Sequence, residues 1–418
     1  MRFCFLTTFY PPWNFGGDGI QVQRLARALA RRGHEVTVVH SREGYRAMGG
    51  PEHPPPEEDD GVRVVAIDAG RGMVSPLATY LTGRPLLVGK QLERALDEPF
   101  DVVHFHNPSL LGGPAALRLG RGLKLYTAHE QWLVCPTHFL WQDRRRVCIR
   151  PHCFTCTLRH GRPPQPWRST SLMEESLRCL DLVIVPSATS AGLHARFASI
   201  VQIECLGHFV PDPGRPWPVE EHPGKPYVLF AGRLEPIKGA QTLLGAFRRW
   251  SGARLVVAGN GPLEADLREQ AADLPHVEFV GWQTGPDLDR LFRRALAAVA
   301  PSVGHESFGL VPVEALARGV PAIVHDFGAL GELARQSDAI IGYRSEDELI
   351  GELDALARSP QRRAALAEVG RRDYLARWAE APHMRGYFAL IADRARARGY
   401  DGLEAAAAAA RDGEQVAA

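Results

Sequence analysis

Val228-Leu229-Phe230-Ala231-Gly232-Arg233-Leu234-Glu235-Pro236-Ile237-Lys238-Gly239 reads as a short apolar strand running into a glycine-bounded turn that carries two cations. Four apolar residues without polar alternation mark a strand covered on both faces, which is what helical crossovers do to a parallel sheet. The unit recurs along the chain. Downstream, strands are predicted at 255–258, 277–280, 297–300, 322–324 and 339–341; upstream, at 3–7, 35–39, 62–67, 102–105, 123–127, 182–185 and 201–204. Amphipathic stretches lie between them, the clearest with Val22, Leu25, Ala26 and Leu29 at helical spacing and Gly33 as its stop. The fold class is therefore α/β, with two doubly wound parallel sheets.

At 418 residues the chain exceeds what one hydrophobic core supports, so two domains of roughly 200 residues are expected. The segment 208–226 holds six prolines and reads as an extended connector. It separates a first domain at 1–210 from a second at 222–380. Helices follow at 346–357, 361–378 and 382–398, with 381–400 expected to pack back on the first domain. The Ala-rich 401–418 is expected to be disordered, and the Pro- and acid-rich 49–60 to be a mobile loop.

Hydrophobic residues make up 45% and charged residues 23%, ordinary for a soluble protein, and no run approaches the ~20 apolar residues that span a bilayer. The first ten residues lack a small-residue cleavage site and read as a buried strand rather than a signal peptide. A net charge of +1 supplies no global field for a polyanion, which excludes a dedicated nucleic-acid binder.

In open parallel sheets ligands sit beyond the carboxyl ends of the strands, so residues just after each strand are the candidates. Gly16 and Gly17 precede the first helix and offer backbone N–H groups to an anion. Arg233 and Lys238 share one turn and can together grip a diphosphate. Gly259 and Gly261, ahead of Pro262, end another strand. At 301–314, Glu306 precedes Ser307-Phe308-Gly309-Leu310, which opens a helix carrying Glu314 about two turns on. His104, His106 and His129 stand at strand ends, and a histidine there can hydrogen-bond a sugar hydroxyl. His129, between Thr127 and Glu130, has the most polar setting.

Taken in order, Gly16-Gly17, His129, Arg233 with Lys238, Gly259-x-Gly261-Pro262 and Glu306-x7-Glu314 resemble the retaining glycosyltransferases of family 4, over about residues 1 to 400. The resemblance implies a GT-B fold: two Rossmann-like domains, the first binding acceptor and the second nucleotide sugar, with a cleft between them. It implies transfer of a sugar from a nucleoside diphosphate donor, UDP- or GDP-linked, to a hydroxyl with retained configuration and no catalytic metal. Arg233 and Lys238 would neutralise the departing diphosphate, aided by N–H groups at Gly16-Gly17 and at Phe308-Gly309-Leu310. Glu306 would contact the donor sugar, Glu314 the ribose and His129 the sugar's outer hydroxyls. Glu130 stands where many members have Asp. The setting implied is cell-surface polysaccharide or glycolipid synthesis.

Four of the seven cysteines, Cys135, Cys148, Cys153 and Cys156, fall within 22 residues in an insert at 131–168. Their spacing suits a closed tetrahedral structural zinc, with His138 and His152 as spare ligands; free thiols, an oxidised pair and an iron–sulfur cluster are the alternatives. An irregular loop of this length lacks a core of its own, which metal ligation would supply. The insert also carries Arg144, Arg145, Arg146, Arg150, Arg159, Arg162 and Arg168, with no acidic residue between Asp143 and Glu174. That patch points to a phosphate-bearing or lipid-linked glycan acceptor, or to anionic membrane; the odd, clustered cysteines point to a reducing compartment, so the protein is expected in the cytoplasm, peripheral to the inner face of the membrane. Rival readings keep the fold and change the chemistry: a nucleotide-sugar epimerase, a phosphorylase, or a non-catalytic nucleotide-sugar-binding protein.

Overall fold

The computed structural model describes residues 1–50, 59–214 and 225–416. Most of the loop expected at 49–60 and the middle of the connector expected at 208–226 lie outside the described residues. The chain forms two compact units. One comprises Met1–Phe139, Pro151–Gly207 and the chain from His383 onward; the other comprises Leu140–Arg150 and His208–Pro382.

The first unit is built on seven strands: β1 (Arg2–Leu6), β2 (Glu35–His40), β3 (Val62–Ala66), β4 (Val102–Phe105), β5 (Leu123–Thr127), then, after a two-stranded hairpin of β6 (Trp141–Gln142) and β7 (Arg146–Val147), β8 (Leu182–Val185) and β9 (Ile203–Cys205). Their order is β3-β2-β1-β4-β5-β8-β9 and every pair is parallel. β1 is central, with Phe3 opposite both Val36 and Val102, and its Phe3, Cys4, Phe5 and Leu6 are fully buried. The helix Gly17–Arg31 buries Val22, Leu25, Ala26 and Leu29, the stripe read from the sequence.

The second unit holds β10 (Tyr227–Ala231), β11 (Arg254–Ala258), β12 (Val277–Gly281), β13 (Ala297–Ala300), β14 (Ala322–His325) and β15 (Ile340–Tyr343) in the order β12-β11-β10-β13-β14-β15. This is the 3-2-1-4-5-6 order of a nucleotide-binding doubly wound sheet. Apolar cores lie on both faces, one around Leu229, Phe292 and Leu316, the other around Phe230, Phe247 and Leu255. Two such sheets in one chain make the α/β GT-B architecture.

Two expectations are corrected. Asp401–Val416 is a helix where the sequence reading expected a disordered tail. Alanine is the strongest helix former, Ala407 is buried, and the Glu414 carboxylate accepts hydrogen bonds from the Arg32 guanidinium, 3.0 Å from its Nη2. The second concerns the insert, which packs into the core of the first unit. Trp132, Leu133 and Trp167 join the main core of the first unit. Arg168 lies over Trp167 at 4.5 Å and donates to the carbonyls of Trp132 (2.7 Å) and Leu133 (3.2 Å). Burial pushes its guanidinium down to about 10. Arg168 is thus a packing residue and leaves the basic patch. Among the described residues no helix is long and apolar enough to cross a membrane.

Candidate functional site

In the second unit the loops after β10, β11 and β13 are stitched together by backbone hydrogen bonds. Gly232 donates to Ala258 (2.9 Å), Leu234 to Asn260 (2.8 Å) and Val303 to Ile237 (2.9 Å). Such close approach excludes side chains: Gly259, at φ 154°, has the Gly232 carbonyl where a Cβ would stand, and Gly239, at φ 73°, has the Pro301 carbonyl. The result brings Lys238 to Glu306, Nζ to Oε1, at 2.6 Å, and the Ser302 hydroxyl donates to the same carboxylate oxygen at 2.6 Å. Burial alone would raise the Glu306 carboxyl. The Lys238 charge and the hydrogen bonds from Lys238 and Ser302 outweigh it, holding the carboxyl below its ordinary range. An ionised acid and an ammonium therefore face each other at the ligand end of the sheet.

Arg233, on the same turn as Lys238, pairs with Glu235 at 2.6 Å and is about two-fifths exposed. Phe308 is buried against the His208 ring. Gly309, at φ 113°, leads into the helix Leu310–Ala317, with Glu314 half-buried in its second turn and Ser307 half-buried ahead of it. Behind them His325 shares a hydrogen bond with the Ser302 carbonyl (2.9 Å), and His305 keeps a buried Nδ1 without a partner. Ser302 and His305 were missed in the sequence, although both follow β13 directly.

In the first unit the ends of β4 and β5 form a polar cluster. His129 is 9% exposed, and its Nε2 lies 2.9 Å from His106 Nδ1. Burial, then the neighbouring His106, holds His129 well below the usual imidazole range, so it is neutral at physiological pH. His104 lies between Tyr387 (2.9 Å) and Thr127 (2.8 Å). Glu130 accepts from Asn107 Nδ2 (3.0 Å) and pairs with His138 Nδ1 (2.6 Å). Asn107 also reaches Asp18 (3.3 Å), the residue after Gly16 and Gly17 at the start of the helix Gly17–Arg31. Burial and then the Glu130 charge push the Asp18 carboxyl up. Asp18 and Asn107 were also missed; each adjoins a position already singled out.

The four cysteines do not fit zinc. None forms a disulfide, and among the described residues no three His, Cys, Asp or Glu side chains are grouped to hold a metal ion. Cys148 belongs to the hairpin of the second unit, whereas Cys135, Cys153 and Cys156 belong to the first. Cys135 Sγ lies 3.3 Å from the Thr137 hydroxyl. The aromatic packing around Trp132 and Trp167 gives the insert the interior that the metal was expected to supply.

The family model described as glycosyltransferase family 4 matches residues 15–203, and that described as glycosyl transferases group 1 matches residues 216–373. A glycogen synthase of Mycobacterium tuberculosis is 30% identical over 359 residues, covering 79% of this chain and 80% of its own. The chain belongs to glycosyltransferase family 4. The phosphatidyl-myo-inositol mannosyltransferase of Mycobacterium leprae is 27% identical over 390 residues, 88% of this chain and 90% of its own. Among solved structures, Anabaena HepE in complex with UDP superposes with a TM-score of 0.62 at 17% identity, over 91% of this chain and 96% of that one, a likeness of fold. Glycosyltransferase activity follows from family membership.

Proposed function

We propose that this glycosyltransferase moves a sugar from a UDP- or GDP-sugar to an acceptor hydroxyl with retention of anomeric configuration, in glycan or glycolipid synthesis at the cell surface. The observation that carries the reading is the Lys238–Glu306–Ser302 group at the ends of β10 and β13. A departing nucleoside diphosphate needs positive charge; Lys238 and Arg233 supply it, together with N–H groups at Phe308-Gly309-Leu310. Glu306, ionised, takes the donor sugar's hydroxyls and Glu314 the ribose. Gly259 and Gly261 let the turn after β11 close against the Gly232 and Leu234 carbonyls, which draws the loops that would hold the nucleotide together.

In the first unit, Gly16 and Gly17 present N–H groups at a helix start, and His129, being neutral, can accept as well as donate to a sugar hydroxyl. The fold shared with a UDP-bound structure and kinship to a glycogen synthase and a lipid mannosyltransferase support a nucleotide-sugar donor.

Incubation with a panel of UDP-, GDP- and ADP-sugars tests the reading. Slow release of nucleoside diphosphate with one donor, lost in Glu306→Gln, is expected. Appearance of an epimer, or binding without turnover across the panel, would replace it with an epimerase or a sugar sensor. Proton NMR of the product's anomeric signal tests retention.

A further inference from the structure

We infer that the first unit carries a docking surface for an anionic lipid bilayer, formed by the outer faces of the helices Val74–Thr82 and Cys153–Arg159. Both helices are inside out for a water-facing position. On the first, Val74, Leu77 and Leu81 recur at helical spacing and are 59%, 46% and 36% exposed, while Ser75, Pro76, Thr79 and Tyr80 are buried. Leu86, just beyond it, is 61% exposed. On the second, Phe154 and Leu158, one turn apart, are 67% and 51% exposed while Cys156 and Thr157 face inward. Water penalises this arrangement, and a contiguous exposed apolar face marks an interaction surface. The two helices are structurally joined. The second leads through a short turn into Pro166–Ser169, whose Trp167 donates its indole N–H to the Tyr80 carbonyl of the first at 2.9 Å.

Charge decides what covers the surface. No Asp or Glu occurs between Asp68 and Glu93, nor between Asp143 and Glu174. Arg71, Arg84, Lys90 and Arg159, in the same two segments, are exposed, although the whole chain has a net charge of only +1. Aliphatic and aromatic tips on segments that carry cations and no acid are the pattern of an interfacial helix, whose apolar side chains enter the acyl boundary while the cations meet anionic headgroups. A protein partner would be matched by a rim of both signs.

The inference goes beyond the transferase reading and does not depend on it: donor turnover reports on one and vesicle sedimentation on the other. The full chain is expected to sediment with vesicles of phosphatidylcholine mixed with phosphatidylglycerol, and far less with phosphatidylcholine alone. Leu77→Glu with Leu81→Glu should weaken that binding about tenfold or more, and Arg84→Gln with Lys90→Gln should weaken it and flatten its salt dependence. Donor hydrolysis should stay unchanged in both. If the glutamate variant unfolds, the milder Leu77→Ser with Leu81→Ser decides the matter on the same readout. Absence of binding to the anionic vesicles, or binding indifferent to these changes, would overturn the inference. So would sedimentation velocity showing a dimer that the glutamate variant dissociates, since the face would then join two copies.

Discussion

Lys238 and Glu306 lie 68 residues apart in the chain and 2.6 Å apart in space. Each is held by its own loop, and glycines let those loops touch. Burial raises this carboxyl and the ammonium, with Ser302, lowers it further than burial raises it. In Lys238→Ala the burial remains and the cation does not, so the carboxyl should rise and the diphosphate should lose a counter-charge. Transfer measured by nucleoside diphosphate release should fall about 10²–10³-fold in Lys238→Ala and in Glu306→Ala, with unchanged far-UV circular dichroism. Arg233→Ala should lose activity as well; wild-type turnover in all three would end the site assignment. That these residues stand just after strands was legible in the sequence. That Ser302 completes the pair was not, because a lone serine after a strand carries no pattern.

At the scale of elements, the cysteine insert separates composition from structure. Four cysteines near one another in sequence suggested a metal, but among the described residues no three ligands gather, and the loop is anchored by tryptophans that join the core of the first unit. Arg168 ties that packing together with two carbonyl hydrogen bonds and a stacked ring. A lysine cannot reproduce a planar fork. Arg168→Lys should destabilise the first unit by about 2–4 kcal/mol, visible as a lower urea midpoint, and added zinc should not restore it. The C-terminal helix makes the same point. Its alanines read as a disordered tail, yet Arg32 and Glu414 fasten it. Glu414→Gln should lower stability by about 1–3 kcal/mol, since it weakens a charge-assisted pair that is largely buried, and thermal melts can read the loss.

Across the whole molecule the first unit concentrates buried and half-buried histidines. His34 and His40 are held at about 4, and His104, His129 and His194 are also lowered, in every case chiefly by burial. An imidazole whose folded value lies below its unfolded value of 6.5 stays neutral in the native state while the unfolded chain takes up a proton. Below about pH 6.5 the unfolded state therefore binds more protons, and stability falls as pH drops from there toward 4. Thermal midpoints between pH 7.5 and about 4.5 should decline steadily, and a flat profile would show that the histidines are solvated. The sequence by itself determined the two parallel sheets, since buried strands and glycine turns are local, short-range signals. It also marked the polar and glycine positions that follow the strands. Only the tertiary structure decided which of those positions meet: Glu306 with Lys238 and Ser302, Asn107 with Asp18 and Glu130, His129 with His106. It also decided that the insert packs on aromatic rings instead of a metal. Contacts between residues tens of positions apart depend on how loops close, and no local pattern of residues encodes that closure.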